Sequence, residues 1–168
     1  MPFTPFHIGP SALVGAPFQK YLDVPAFILA NFAVDVEPLI VLMLRPDYPL
    51  HGYCHTLLIG SLVGLFAGIL IFLFRPIVSF FMNAILLEYK TTILKAVISS
   101  IFGVWFHVFV DSFIYTDIRP LFPSSINPLY GIISSHTLYA ICAITTPFGI
   151  AVYATIAWNN YITRSKPS

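Results

Sequence analysis

The sequence predicts an all-α integral membrane protein, a bundle of about four transmembrane helices plus an N-terminal interfacial or re-entrant segment. The 168 residues are 58% hydrophobic and 9% charged, with a mean hydropathy of +0.86, whereas a soluble domain carries about 25% charged residues. We therefore expect one transmembrane domain over residues 1–168, in a cell inner or plasma membrane. A formal net charge of +1 without a basic stripe argues against nucleic acid as a partner.

The N-terminal segment, residues 1–18, is apolar and carries His7. Its four prolines leave room for a helix of only about ten residues between them, which is too short to cross a hydrocarbon core of roughly 30 Å. We expect this segment to lie in the membrane interface or to enter the membrane and return.

Four later segments are long and apolar enough to span. They cover residues 24–44, 56–74, 92–113 and 136–158. Between the second and third spans, residues 76–90 are apolar and then charged, which indicates a segment lying in the interface.

The second span contains Gly60, Gly64 and Gly68 at intervals of four residues. This repeated GxxxG pattern predicts a face for close packing against another helix. The same face offers a contact for a homo-oligomer.

The basic residues indicate the orientation, because Lys and Arg concentrate on the cytoplasmic side. With four spans, six of them fall on one side and two on the other, which places both termini in the cytoplasm. The six are Lys20, Arg75, Lys90, Lys95, Arg164 and Lys166, and the two are Arg45 and Arg119.

The third span carries the first candidate site residues, His107 and Asp111. Residues four apart share a helical face, and ionisable groups inside a membrane segment indicate a site, because each is costly there without a partner. His51 and His55, also four apart, stand before the second span and could share a metal. The orientation places all four near the extracytoplasmic end.

Asp35 and Glu37 lie in the outer half of the first span. Residues two apart on a regular helix face nearly opposite ways, but Pro38 disfavours helical geometry at Glu37. A broken span would turn both carboxylates into one cavity. A carboxylate that binds no metal would serve as general base, and we assign this role to Glu37.

Energetics favour a bound cation. Each central acidic residue costs about 2.5 to 3.5 kcal/mol on insertion scales, and an interhelical hydrogen bond returns about 0.6 kcal/mol on average. Apparent metal-binding energies in structural zinc sites are on the order of 10 kcal/mol. Imidazole and carboxylate ligands suit one or two ions of Zn²⁺, Mn²⁺ or Fe²⁺. The expected ligands are His7, Asp35, His51, His55, His107 and Asp111, with Glu37 as either a further ligand or the general base, and with His7 required to reach the outer side.

Three further residues are expected to have no role in such a site. His136 has no evident acidic neighbour and is interpreted as an exposed residue at a helix start. Cys54 and Cys142 are far apart in sequence and are interpreted as free thiols, although a disulfide between them is an alternative.

The chain resembles the YdjM-like group of small inner-membrane proteins, also called LexA-regulated and described as predicted metal-dependent hydrolases. The resemblance runs through His7 in Thr-Pro-Phe-His-Ile-Gly, the acidic pair Asp35 and Glu37, the His51 to His55 turn, and His107 with Asp111. It implies a membrane-embedded metal site with hydrolytic chemistry.

We therefore predict a metal-dependent hydrolase that acts on a lipid-like ester or phosphoester. Two alternatives use the same residues differently. In the first, they bind a cation or relay protons in a transporter-like protein, and in the second they only hydrogen-bond between the helices of a scaffold.

Overall fold

The computed structural model describes residues 5–44 and 47–165, and over these residues it is all-helical with no strand. The described elements are α1 (Pro5–Phe18), α2 (Val24–Val34), α3 (Val36–Leu44), a short 3-10 helix (Tyr53–His55), α4 (Leu57–Leu73), α5 (Arg75–Ala84), α6 (Ile93–Asp111) and α7 (Ser135–Ser165).

Three segments of the described chain are long and apolar enough to cross a membrane, and a fourth is formed if a bent helix pair counts as one span. The first of the three consists of α2 and α3 together, the second is α6 alone, and the third is α7 alone. The bent pair is α4 with α5, whose axes differ by 71°. The prediction of an all-α bundle with about four spans is confirmed.

Helix α6 packs against both α4 and α2, and these two helices also contact each other. A Cβ atom added at Gly64 would lie 2.7 Å from the Cα of Ile101, and one at Gly68 would lie 2.5 Å from the Cα of Val97. Only glycine allows so close an approach. The close-packing partner that the glycine pattern predicts is thus a helix of the same chain, while the predicted homo-oligomer stays a prediction.

Helix α2 runs alongside α6 in the same direction. The backbone N–H of Asp23 donates to Ser99 Oγ at 2.8 Å, and a Cβ atom at Gly103 would collide with the carbonyl oxygen of Phe27. The start of α2 is fixed by the Asp23 side chain, which accepts from the backbone N–H of Ala26 at 3.0 Å. This alignment carries the end of α2 to the same level as the end of α6.

Helix α1 has 14 residues, longer than the ten expected, and contains Pro10 and Pro17. It packs against α2 and α7 inside the bundle. A Cβ atom at Gly149 of α7 would lie 3.2 Å from the Cβ of Ala12. The C-terminal end of α1 lies near the start of α6, where Lys95 Nζ donates to the carbonyl of Gln19 at 3.3 Å. Helix α1 therefore runs opposite to α2.

The two ends of the bundle differ in charge. One end carries Arg119, in the loop whose Pro120 carbonyl accepts from the backbone N–H of Leu57 at 3.0 Å. The opposite end of the described chain carries Lys20, Arg75, Lys90, Lys95 and Arg164. Helix α5, which was predicted to lie in the membrane interface, begins at Arg75 and has no buried residue. The remaining two residues of the predicted charge count, Arg45 and Lys166, lie outside the described residues.

Candidate metal centre

The first span is interrupted at one residue only, Asp35, between α2 and α3, and the backbone of Asp35 stays in the α-helical region. Pro38 lies in the first turn of α3, where a helix needs no N–H donor from it, and the next residue, Leu39, donates to the Asp35 carbonyl at 3.1 Å. The interruption thus lies two residues before the position expected from Pro38. The expected consequence still follows, because Asp35 and Glu37 both face histidines of the same cluster.

Four buried side chains converge at the level of this break. Asp35, His55, His107 and Asp111 each offer one ligand atom, and these atoms all lie within 4.8 Å of one another. His107 and Asp111 come from adjacent turns of α6, while His55 ends the 3-10 helix before α4. We call these four residues the central cluster.

The contacts inside the central cluster are close but are not hydrogen bonds from the histidines. His107 Nε2 lies 3.3 Å from Asp35 Oδ1 and 3.3 Å from Asp111 Oδ2. His55 Nε2 lies 3.9 Å from Asp35 Oδ1. Both nitrogens are buried and have no hydrogen-bond partner. Buried imidazole nitrogens and carboxylate oxygens that lie this close to one another are the ligand types of a metal site.

His7 reaches this cluster from α1. Its Nε2 lies 3.0 Å from Asp111 Oδ1, and its ring packs edge-on against His107 with centroids 4.4 Å apart. Asp111 therefore has one oxygen beside His7 and the other beside His107. The requirement that His7 reach the site is met by the direction of α1.

Glu37 lies beside the central cluster and accepts several hydrogen bonds. Its carboxylate accepts from the backbone N–H of Gly52 at 3.0 Å and of Cys54 at 3.2 Å. It also accepts from the Tyr48 hydroxyl at 3.1 Å and lies 3.1 Å from His55 Nδ1. Because an ionised carboxylate only accepts, His55 Nδ1 carries a proton, and Nε2 is the ring nitrogen that faces the cluster. These partners leave Glu37 poorly placed as a general base.

His51 is held by a second carboxylate, Asp117. The Asp117 oxygens accept from the His51 backbone N–H at 2.9 Å and lie 3.0 Å from His51 Nδ1. Burial lowers the pKa of His51, as does the neighbouring His55, so the ring is neutral at pH 7. Partial burial acts to raise the pKa of Asp117, but the hydrogen bonds from His51 outweigh it and lower that pKa. The His51 ring packs against His55 with centroids 4.8 Å apart, outside the central cluster.

No pattern in the sequence predicts Asp117 as a site residue. It stands in an irregular loop, where no periodicity relates it to His51, and its place six residues after Asp111 was the only available signal. The residues expected to have no role are not members of the central cluster. His136 is exposed at the start of α7, and Cys54 and Cys142 are free thiols.

Histidines are the basic partners of the carboxylates around the cluster. The close contacts between basic side chains and carboxylates within residues 5–44 and 47–165 join histidines to carboxylates, and they are ion pairs only where the histidine is protonated. No described lysine or arginine compensates Asp35 or Asp111, and Lys95 lies near the opposite end of α6. Protonated histidines or a bound cation must therefore balance the two aspartates.

Comparison of the chain with protein-family models, with curated proteins and with solved structures found no match. The geometry of the site is therefore the basis for inferring its function. A buried group of two imidazoles and two carboxylates can bind a divalent ion and can place a water beside it.

Proposed function

We propose that this protein is a membrane-embedded, metal-dependent hydrolase that acts on a lipid-like ester or phosphoester. The observation that carries the proposal is the central cluster, in which two buried imidazole nitrogens without partners face two buried carboxylates. We also propose that the protein is related to the YdjM-like group, whose predicted metal-dependent hydrolase activity agrees with this function.

The central cluster would supply four ligands, Asp35, His55, His107 and Asp111. Two carboxylates and two neutral imidazoles balance the charge of one divalent ion, and such a mixed set suits Zn²⁺, Mn²⁺ or Fe²⁺. A bound ion would lower the pKa of a coordinated water towards about 7 and polarise a phosphoryl or carbonyl oxygen. A second ion would use His7, beside Asp111, or His51, beside His55, as a further ligand.

Glu37 and Asp117 would act by positioning histidines. Each carboxylate holds Nδ1 of one imidazole, Glu37 that of His55 and Asp117 that of His51. A carboxylate on the far nitrogen fixes the tautomer and orientation of a metal-binding histidine. The predicted use of Glu37 as ligand or base is replaced by this role.

We expect Glu37→Gln to weaken metal binding by about 10- to 100-fold, the usual effect of losing such a partner. The amide keeps one acceptor oxygen but replaces the other with an NH2 group, although both oxygens of Glu37 accept from the Gly52 and Cys54 N–H groups. Metal affinity is measured by competition with a fluorescent chelator, with exposed His136→Asn as the control. Unchanged affinity in Glu37→Gln would remove the positioning role.

The orientation is also part of the proposal. The end with five described basic residues would face the cytoplasm, which places the centre in the extracytoplasmic half of the membrane. This orientation would place the C-terminal end of α7 in the cytoplasm. The Pro5 end of α1 lies on the site side, so the same orientation disagrees with the predicted cytoplasmic N-terminus, which stays a prediction.

Elemental mass spectrometry on the detergent-purified protein, followed by an ester and phosphoester screen, tests the function. We expect about one equivalent of zinc, manganese or iron and turnover of at least one substrate class. Asp111→Asn should lose both, and His136→Asn should keep both. Bound metal without any turnover would instead favour the cation-binding, transporter-like alternative, and a folded protein without metal would favour the scaffold.

A further inference from the structure

A cavity of about 310 Å³ lies beside the central cluster, at the end of the bundle away from most basic residues. Its walls come from the loop before α4 and the loop after α6. His51 forms part of the wall, and the same ring packs against His55 of the cluster. One imidazole layer therefore separates the cavity from the candidate metal centre.

Arg119 is the cation of this cavity. Its side chain is exposed and makes no hydrogen bond or ion pair with the described residues. Thr116, also exposed and in the wall, has a hydroxyl group with no such partner. Two donors without internal partners thus line one cavity.

The nearby carboxylate makes no hydrogen bond or ion pair with these donors. Asp117 lines the cavity, but its oxygens accept from the backbone and ring of His51. The aromatic part of the wall includes Tyr53 and Phe122, whose rings lie 5.3 Å apart between centroids. Tyr53 is 54% exposed, so the cavity opens to the outside of the protein. The cavity combines an unpaired guanidinium with an apolar side.

We propose that this cavity binds the phosphoryl group of a phosphoester substrate, with Arg119 and Thr116 as its donors. The inference rests on the proposed hydrolase function and selects phosphoesters among its substrates. The guanidinium fork of arginine matches phosphate oxygens in a bidentate way. The aromatic wall would contact the apolar part of a lipid. A lipid head group and a free phosphate share this chemistry.

Calorimetric titration of the detergent-purified, EDTA-treated protein tests the cavity without requiring turnover. The probes are dihexanoyl phosphatidic acid, inorganic phosphate, and dihexanoylglycerol as the lipid without phosphate. The variants are Arg119→Gln and Arg119→Lys. Arg164→Gln is the matched control, because it removes the same charge from an exposed position at the other end of the bundle.

We expect wild-type protein to bind phosphatidic acid and Arg119→Gln to raise the Kd by about 10- to 100-fold, the usual effect of losing hydrogen bonds to a charged group. Arg119→Lys should lie between them, and Arg164→Gln should match wild type. Competition by inorganic phosphate would show that the phosphoryl group alone suffices, and its absence would show that the lipid is needed. Wild-type affinity in Arg119→Gln, no binding by wild type, or equal binding of dihexanoylglycerol would each overturn the proposal.

The two proposals fail separately. Arg119-dependent binding of phosphatidic acid with no hydrolysis by the metal-loaded protein would remove the hydrolase function and leave the cavity. Phosphoester hydrolysis with unaltered kcat and KM in Arg119→Gln would remove the cavity and leave the hydrolase. Arg119 is exposed, and an unchanged melting temperature confirms that its variants remain folded.

Discussion

Removing metal with a chelator is expected to lower the melting temperature of the wild-type protein by about 5 to 10 °C. A ligand present at 100 times its Kd stabilises the folded state by about 2.7 kcal/mol, and 1 kcal/mol shifts the melting temperature of a domain of this size by about 2 to 4 °C. The ligands would come from α2, the 3-10 helix and α6, so an ion would hold together parts of the chain that are distant in sequence. Dye-monitored melting in detergent, with and without EDTA, measures the shift.

A variant of the central cluster distinguishes a metal from a network of ion pairs. In the metal interpretation, Asp111→Asn loses the ion, and EDTA then has little further effect on its melting temperature. In the ion-pair interpretation, the charged partners of Asp111 are His7 and His107. Removing one partner of a buried pair costs about 3 to 5 kcal/mol, so Asp111→Asn would be strongly destabilised with or without EDTA.

The exposed His136→Asn variant is the control for both interpretations, and it should melt and respond to EDTA as wild type does. A wild-type melting temperature that does not change after complete removal of divalent ions would contradict the metal interpretation. It would leave histidine protonation as the source of charge balance. Adding back zinc, manganese or iron one at a time would then show no recovery.

The sequence was sufficient to predict which ionisable residues come together around α6. His107 and Asp111 share a face because of their spacing, and the cost of burying Asp35 made a common site the expected arrangement. The alignment of α2 with α6 brings these three residues to one level. Hydropathy and helical periodicity therefore predict the helices and most residues of the central cluster.

Local patterns did not predict the partners of the outer histidines. His51 is paired with Asp117, and Glu37 is surrounded by N–H groups of the 52–54 segment. Both arrangements depend on how two irregular loops fold onto the end of the bundle. Loops have no periodicity from which such a contact can be inferred. For this reason the sequence assigned Glu37 to catalysis, whereas its geometry suits the positioning of His55.

The prolines show a similar limit. Pro38 was expected to unwind the first span at Glu37, but a proline in the first turn of a helix lacks only an N–H that the helix does not use. Pro10 was expected to shorten the N-terminal helix, yet it lies inside α1. Packing of α1 against α7 outweighs the local preference, which a pattern of single residues does not show.

Replacing Gly64 with leucine is expected to separate α4 from α6 and to disrupt the metal centre. A Cβ atom at this position would lie 2.7 Å from the Cα and 2.9 Å from the backbone N of Ile101. Both atoms belong to the backbone of α6, so no side-chain rotation relieves the collision. Overpacking costs about 1 to 3 kcal/mol and sometimes more, and the remaining atoms of leucine place this change at the upper end.

The effect should reach the site because α4 and α6 carry its two halves. His55 stands just before α4, while His107 and Asp111 are on α6. A shift of one helix moves His55 Nε2 away from the other ligand atoms, so metal content should fall together with the melting temperature. Gly64→Ala should give a smaller loss of both. Leu62→Phe is the control. Leu62 is 51% exposed, so this substitution enlarges only the outer face of α4.

Melting, elemental analysis and light scattering on the same samples separate the possible results. A lower melting temperature and lost metal in Gly64→Leu, with Leu62→Phe near wild type, would support the contact between α4 and α6 as the frame of the site. Wild-type melting and metal content in Gly64→Leu would contradict it. If Gly64→Leu instead halves the molecular mass while keeping metal and stability, the glycine face joins two copies of the chain, as the predicted homo-oligomer requires. The glycines are buried against α6 within one chain, so we expect the first result.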